Sequence, residues 1–412
     1  MSTPLSAYEG IVRPAVIRQL RQLGEKLAGT RVVHVNSTRE GGGVAEILEW
    51  MVPIMRELGL DASWEVIDGN SGFFEVTKAI HNALQGANVA IPVKGWKTYE
   101  DVNAKNFDRL RPILEEADIV FIHDPQPAHL LRLCTGRKGK WIWRAHIDIS
   151  RPFRPIWKAL RSMVESYDAS IFSMAQYAQP LHHPQFLVPP SIDPLSGKNR
   201  DLLPAEIEAV RSEYGLDPSR PLLVQISRFD RFKDPVGVIA AYHMVRKVAP
   251  VQLVLAGGGA ADDPEGIAVL EDVMEAAGSD PDIHVLLLPP DSHKTVNALQ
   301  RMATIILQKS TREGFGLTVT EGMWKGKPVI GGDVGGIRLQ VVNHQTGFLV
   351  NTPEGAAHRI RYLLSHQDGI DRMGATAREF VRENFLLTRH IREYLTLMLV
   401  TLHSTRGNMV EV

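Results

Sequence analysis

The chain has 412 residues, of which 44% are apolar and 23% charged, a composition that excludes disorder and a length that accommodates two domains. Its net charge of -1 gives no reason to expect nucleic acid or an anionic membrane as a partner. Its single cysteine, Cys134, excludes an intrachain disulfide. No run approaches 18 apolar residues, and the first residues show no signal-peptide pattern, so we expect a soluble cytoplasmic protein.

The first predicted strand, residues 30–36, leads through Arg39-Glu40-Gly41-Gly42-Gly43 into an amphipathic helix. A strand, three glycines and a helix form the layout of a phosphate-binding loop, so Gly42 and Gly43 are candidate ligand-binding residues. The loop matches neither G-x-G-x-x-G nor G-x-x-x-x-G-K-[ST]. Because Asp68 follows the second strand, a degenerate dinucleotide-binding fingerprint is an alternative interpretation.

Polar side chains follow the next two predicted strands. Residues 119–122 are followed by His123-Asp124-Pro125-Gln126-Pro127, and residues 141–143 by Arg144-Ala145-His146-Ile147-Asp148. Ligands of open α/β sheets bind beyond the carboxyl ends of strands, which places both clusters at a binding site. A metal site is an alternative, although no ligand spacing such as H-E-x-x-H occurs. A purely structural role at the strand ends is another.

Three prolines within residues 189–194 predict a domain boundary. Strands are predicted again at residues 222–227, 251–256, 283–288 and 303–307, alternating with helices, so the sequence predicts two parallel-sheet α/β domains. We place them at residues 1–190 and 191–386. Apolar residues at helical spacing after Phe385 predict a last helix with one buried face.

The strand at residues 222–227 is followed by Arg228 and Lys233. The guanidinium fork and the ammonium point charge are complementary ligands for a diphosphate. A solvated basic loop is the ordinary alternative.

A second stretch, residues 311–321, is predicted to hold the end of a strand, a glycine-containing loop and the N-terminus of a helix that ends near Gly326. Its free N–H groups form an anion site, and Gly314 and Gly316 permit close approach of a ligand. Glu313 and Glu321 bracket the loop. Eight helical residues rise about 12 Å, whereas a retaining glycosidase needs carboxyls about 5–5.5 Å apart, so these two side chains are not a hydrolytic pair.

The Glu-x7-Glu spacing around Gly-Phe-Gly-Leu resembles the signature of family 4 retaining glycosyltransferases, which use nucleotide sugars and have two Rossmann-like domains facing across a cleft (GT-B). The segment Ser227–Lys233 matches the spacing of that family's Arg/Lys diphosphate pair. The resemblance implies that Glu313 contacts the donor sugar and Glu321 the ribose. It implies that the last helix, residues 387–412, crosses back to the N-terminal domain.

The same resemblance implies roles for further residues. The diphosphate is held by Arg228, Lys233 and the loop amides, with Gly42 and Gly43 contributing, and the base by backbone near Leu286. His146 corresponds to the family's histidine beside the donor sugar, and Asp124 and Gln126 to its acceptor segment. The loop amides concerned are those of Phe315, Gly316 and Leu317.

A closer resemblance, to the trehalose glycosyltransferring synthase subgroup with trehalose phosphorylases nearby, rests on six blocks in order. They are HVNST with GGGVAEIL, VTKAIHNALQG, HDPQPA, WIWRAHIDIS, PPSIDPLSGKN and REGFGLTVTEGMWKGKPVIGGDVGGIRLQ. It implies conversion of UDP- or ADP-glucose and free glucose to α,α-trehalose, with direction left open, by front-face attack and with retention. His146, Arg228, Lys233 and Glu313 are then the expected catalytic residues.

We expect no metal and no cofactor, because the basic pair and the helix N-terminus neutralise the leaving diphosphate. Asp280-Pro281-Asp282 resembles a metal motif but has the composition of a turn. The expected partners are small molecules (NDP-glucose, glucose and trehalose), and a homodimer is left open. Alternatives are a phosphate-dependent trehalose phosphorylase, another family 4 glycosyltransferase, a dinucleotide-dependent oxidoreductase and a non-catalytic sugar-nucleotide binding protein.

Overall fold

The computed structural model describes residues 4–39, 43–258 and 264–403. The chain divides into two compact units. Unit 1 comprises residues 1–191 and 387–412, and unit 2 comprises residues 192–386.

Unit 1 contains a parallel sheet whose strands lie in the order β2-β1-β3-β4-β5-β6. The strands are β1 (Arg31–Asn36), β2 (Asp61–Val66), β3 (Ile119–His123), β4 (Lys140–Arg144), β5 (Ala169–Phe172) and β6 (Gln185–Leu187). The helices are α1 (Pro14–Lys26), α2 (Gly43–Glu57), α3 (Ser71–Leu84), α4 (Val93–Glu116), α5 (Leu130–Leu133) and α6 (Arg154–Val164), and α15 (Leu387–His403) returns to this unit from the end of the chain.

Unit 2 contains a second parallel sheet, in the order β12-β11-β10-β7-β8-β9. The strands are β7 (Leu222–Ile226), β8 (Gln252–Gly258), β9 (Ile283–Leu288), β10 (Ile305–Gln308), β11 (Val329–Gly332) and β12 (Gly347–Val350). The helices are α7 (Pro204–Glu213), α8 (Pro235–Arg246), α9 (Pro264–Ala277), α10 (His293–Met302), α11 (Leu317–Trp324), α12 (Ile337–Gln340), α13 (Pro353–Leu364) and α14 (Gln367–Asn384).

The central strands of both sheets are short apolar runs without polar alternation. Every residue of β3 and β7 is buried, as expected where helices cover both faces of a parallel sheet. Two such sheets confirm the predicted α/β fold class.

The helix boundaries follow from local chemistry. Asp234 caps α8, since its Oδ1 accepts a hydrogen bond from the amide of Gly237 at 3.2 Å, and Pro235 occupies the first helical position. Helix α11 ends at Trp324, and Gly326 follows with φ +70°, which confirms the predicted stop.

The last helix packs within unit 1. Helix α15 contacts α1 and α2, and Arg392 donates a hydrogen bond to Gln19 at 3.3 Å. The predicted return of this helix to the N-terminal part is therefore confirmed. Within the described residues, no helix is long and apolar enough to cross a membrane.

Candidate active site

Each sheet has a point where the strand order reverses, and ligands of open α/β sheets bind there, beyond the carboxyl ends of the strands. In unit 2 this point lies between β7 and β10, and in unit 1 between β1 and β3. The site residues predicted from the sequence fall largely at these two places, and the units are described in turn.

In unit 2, residues 309–316 form the loop from β10 into α11, and residues 317–321 of the predicted stretch lie in the helix itself. Gly316 is the N-cap of α11 with φ +83°, and no side chain caps the helix there. Leu317 is the first helical residue, so the amides at this end lack a capping side chain. A Cβ at position 316 would lie 3.1 Å from Glu313 Cγ, so glycine serves both the backbone conformation and the close packing.

Glu313 and Lys233 form an ion pair at the ends of the neighbouring strands β10 and β7. Lys233 Nζ lies 2.6 Å from Glu313 Oε2, and the side chains are 18% and 9% exposed. Ser310 Oγ donates to the same carboxylate oxygen at 3.1 Å. The structure thus brings together two residues 80 positions apart that were predicted to share one ligand.

Gln225, which the sequence analysis missed, joins these two loops from inside β7. Its Nε2 donates to the carbonyl of Lys233 at 3.1 Å, and its Oε1 accepts from the amide of Lys309 at 3.3 Å. Lys309 in turn forms an ion pair with Asp234. The one polar residue within the apolar strand Leu222–Ile226 was the available signal.

Gln340, also missed, fixes the loop from the other side. Its Nε2 donates to the carbonyls of Phe315 at 2.6 Å and Gly316 at 3.4 Å, and Thr320 donates its hydroxyl to Gln340 Oε1. In a trans peptide the carbonyl and the next N–H point in opposite directions. The amides of Gly316 and Leu317 therefore point away from Gln340. Gly336 packs against the same loop, where a Cβ would lie 2.5 Å from Phe315 Cα.

Glu321 lies in the middle of α11 and is 4% exposed. Gln300 Nε2 donates to its carboxylate at 3.4 Å. Lys325, one turn later, donates to the Glu321 carbonyl at 3.2 Å and to Asn199 Oδ1 at 3.0 Å. Burial lowers the pKa of Lys325 to about 7, while the nearby Glu321 carboxylate acts to raise it.

Two predicted donor residues of unit 2 lie apart from this network. Arg228 is 74% exposed and pairs with Asp230 at 3.3 Å. Leu286 lies on the edge strand β9, beside Ala256 of β8. In the part of the chain that the structure describes, no hydrogen bond or ion pair joins Arg228 to Lys233 or Glu313, so its assignment to the diphosphate stays a prediction.

In unit 1, Asp124 and His146 lie together beyond β3 and β4. Asp124 has φ +64° and its Oδ1 accepts a hydrogen bond from the backbone amide of His146 at 2.8 Å. Burial raises the pKa of Asp124 to about 6. One carboxylate oxygen of the predicted acceptor residue is thus engaged in holding the His146 loop.

Three histidine rings form a hydrogen-bonded row in unit 1. His34 Nδ1 lies 3.0 Å from His123 Nε2, and His123 Nδ1 lies 2.9 Å from His146 Nε2. Burial lowers the pKa of all three rings, that of His34 to about 3. The rings are therefore neutral at pH 7.

The remaining predicted residues of unit 1 are less informative. Gln126 accepts a hydrogen bond from Asn103 through its carbonyl at 3.1 Å. Its Oε1 is buried without a hydrogen-bond partner among the described residues. Gly43 is the first residue of α2, and Gly42 lies outside the described residues. No group of His, Cys, Asp or Glu side chains that could hold a metal is found within the described ranges.

Comparison with known proteins places both halves of the chain. Residues 34–179 match the family described as trehalose synthase, N-terminal domain, and residues 206–380 match glycosyl transferases group 1. The chain is 45% identical to a trehalose synthase of Pyrococcus horikoshii over 399 residues, which covers 96% of this chain and 95% of that protein.

The chain belongs to the trehalose synthase family. It is a glycosyltransferase that transfers a hexosyl group. The chain is also similar to a trehalose phosphorylase of Pleurotus pulmonarius, to which it is 29% identical over 83% of its own length and 53% of the phosphorylase.

The trehalose synthase family fold is shared with solved structures. A UDP-forming α,α-trehalose-phosphate synthase from Burkholderia xenovorans superposes with a TM-score of 0.74 at 16% identity, covering 91% of this chain and all of that one. At that identity the likeness shows the fold alone, and it is the GT-B fold predicted from the sequence.

Proposed function

We propose that the chain transfers glucose from a nucleoside-diphosphate glucose, UDP- or ADP-glucose, to free glucose with retention, giving α,α-trehalose and NDP. Membership of the trehalose synthase family supports the product. The observation that carries the donor class is the Lys233–Glu313 pair beside the uncapped N-terminus of α11. A cation next to a helix N-terminus suits a diphosphate, whose negative charge grows as it leaves.

We assign the donor to unit 2 residue by residue. The amides of Gly316 and Leu317, directed by Gln340, and the ammonium of Lys233 bind the diphosphate. Glu313 binds hydroxyls of the donor glucose, and Glu321 those of the ribose. Arg228, exposed beyond β7, approaches the diphosphate from solvent.

We assign neutral sugar hydroxyls to unit 1. His146 and Asp124 bind them together with Gln126, whose Oε1 has no hydrogen-bond partner in the described part of the chain. In the reaction the acceptor oxygen bonds to the donor anomeric carbon while the bond from that carbon to the phosphate oxygen breaks. The acceptor proton passes to that phosphate oxygen. No protein nucleophile and no metal enter these steps.

An NMR assay of products tests this function. The enzyme is incubated with glucose and either UDP-glucose or ADP-glucose, with and without inorganic phosphate. We expect α,α-trehalose without phosphate, at rates that rank the two nucleotides. Cleavage of trehalose only with phosphate, and no use of either donor, would assign the chain to the phosphorylases instead.

Glu321→Gln tests the assignment of Glu321 to the ribose of the donor. The glutamine can still hydrogen-bond the ribose, but the bond loses its charge and with it about 1 kcal/mol, so the KM for the donor should rise about fivefold to tenfold with a smaller change in kcat. An unchanged donor KM would speak against our assignment of Glu321 to the ribose.

A further inference from the structure

The histidine row of unit 1 runs from the middle of the sheet to the end of β4. His34 lies within β1, His123 ends β3, and His146 follows β4. Each link is one hydrogen bond between ring nitrogens, at 3.0 Å and 2.9 Å. The rings of His34 and His123 are buried, and Phe121 stacks on His34 at 4.7 Å.

The ring protons of the three histidines can be placed on the row in only two ways. A neutral imidazole has one N–H and one acceptor nitrogen, and burial keeps all three rings neutral. Either all three rings carry the proton on Nδ1, or all three carry it on Nε2, because each hydrogen bond needs one donor and one acceptor. The choice at His34 therefore fixes the choice at His146.

The inner end of the row decides between them. His34 is 0% exposed, and its Nε2 is buried with no hydrogen-bond partner among the described residues. Among buried backbone groups, an N–H without a partner is rarer than an under-satisfied acceptor, and we apply the same preference to the ring nitrogens. His34 Nε2 is accordingly the bare acceptor, and His34 Nδ1 carries the proton. His123 and His146 follow with Nδ1–H.

We propose that His34 and His123 are positioning residues that hold His146 as the Nδ1–H tautomer. Nδ1 of His146, the ring nitrogen not bonded to His123, then donates a hydrogen bond to a sugar oxygen. His146 therefore does not act as a general base. The sugar ligand rests on the proposed function, whereas the tautomer does not. With His146 as a donor, the acceptor proton goes to the departing phosphate oxygen.

Nitrogen NMR of the full chain labelled with ¹⁵N-histidine reads the tautomer without any substrate. The His146 signals are identified by their loss in His146→Gln. We expect Nδ1 of His146 to be protonated and Nε2 to be unprotonated. A protonated Nε2, or an even mixture of the two tautomers, would overturn the proposal whatever the enzyme's activity.

Two substitutions at His34 provide the matched test. In His34→Asn the amide nitrogen can donate in place of Nδ1, whereas His34→Leu has no donor. We expect the Asn variant to keep the His146 tautomer and to lose at most about threefold in kcat. The Leu variant should give mixed tautomers and lose about tenfold in kcat, the equivalent of roughly one hydrogen bond.

Thermal denaturation of both variants separates positioning from stability. If the two variants lost activity in proportion to stability while His146 kept one tautomer in both, the row would be merely structural and the proposal wrong. If the Leu variant does not fold, the wild-type and Asn spectra decide alone. A wild type with the expected tautomer but without transferase activity would refute the proposed function and leave this inference standing.

Discussion

The points where the strand order reverses in the two sheets differ in the charge of the side chains around them. At the unit 2 point, Lys233 and Glu313 stand in direct contact at a helix N-terminus. At the unit 1 point, the three histidine rings are neutral. The lysine ammonium beside a helix N-terminus suits a diphosphate. The neutral row of hydrogen-bond donors and acceptors suits sugar hydroxyls. The same kind of parallel sheet therefore suits a diphosphate in one unit and sugar hydroxyls in the other, depending on which residues follow its strands.

The largest effect should come from breaking the charged site. Lys233→Ala removes the cation that stabilises the leaving diphosphate, and kcat should fall about 100–1000-fold, as for loss of one preorganised donor. Steady-state kinetics checks this, with a circular dichroism spectrum to show that the fold is kept.

Lys247→Ala is the matched control, since this lysine is exposed and follows α8 in the same unit. It should behave like the wild type. If Lys233→Ala also kept its rate within twofold, the diphosphate would have to bind elsewhere.

The buried histidines of unit 1 should make the protein less stable in acid. Burial lowers the pKa of several histidines of unit 1, most strongly that of His34, His123, His146 and His390 and also that of His129 and His183. Below about pH 6.5 the unfolded chain binds protons at these positions and the folded chain does not. The free energy of unfolding therefore falls as the pH falls, and each such ring contributes up to about 1.4 kcal/mol per pH unit. The raised pKa of Asp124, about 6, has the opposite sign and offsets part of the loss between pH 6 and 4.

Urea unfolding at pH 7.5 and 5.5 measures that slope. His34→Asn should make it shallower because one buried titrating ring is gone. His182→Gln, at a histidine whose side chain is 88% exposed, should leave it unchanged. Equal slopes in wild type and His34→Asn would mean that His34 does not remain neutral in the folded protein.

A smaller effect tests the hydrogen bonds that Gln340 makes to the loop before α11. Gln340→Leu removes the donor to the carbonyls of Phe315 and Gly316, and unpaired buried groups cost about 1–3 kcal/mol. Stability should fall and the donor KM should rise together. Gln340→Glu can still accept from Thr320 but cannot donate to the carbonyls, so it should do no better. A wild-type donor KM in both variants would show that Gln340 does not direct the loop amides.

The mildest test concerns close packing behind the same loop. A methyl group at Gly336 would meet the backbone of Phe315 at 2.5 Å, and overpacking costs about 1–3 kcal/mol. Gly336→Ala should therefore lower the melting temperature. Gly369→Ala, whose nearest contact would be an ordinary 3.5 Å to His366, should not. Equal melting temperatures would mean that the loop can shift away without loss.

Much of this organisation was predictable, and the reasons are local. Apolar runs such as residues 119–122 and 222–226 stand between turns and amphipathic helices, and their order predicts parallel sheets. The Glu313 loop is identifiable because its glycines and its helix start lie within a few residues. Local patterns carry that information directly.

The supporting contacts were not predictable, since they join distant positions. Gln340 looks unremarkable in sequence. Gln225 stands out as the one polar residue of its strand, but nothing near it in the sequence indicates its partner. The two residues bond to positions 25 and 84 residues away, respectively. The histidine row links residues 89 and 23 positions apart. Only the strand order of β1, β3 and β4 makes these rings neighbours.

The division of labour between the two sites is tested most directly by titrating UDP or ADP into the wild type, Lys233→Ala and His146→Gln and measuring the heat of binding. Our account predicts that Lys233→Ala weakens binding at least tenfold and that His146→Gln leaves it within twofold of the wild type. Equal weakening by both substitutions, or none by Lys233→Ala, would contradict it.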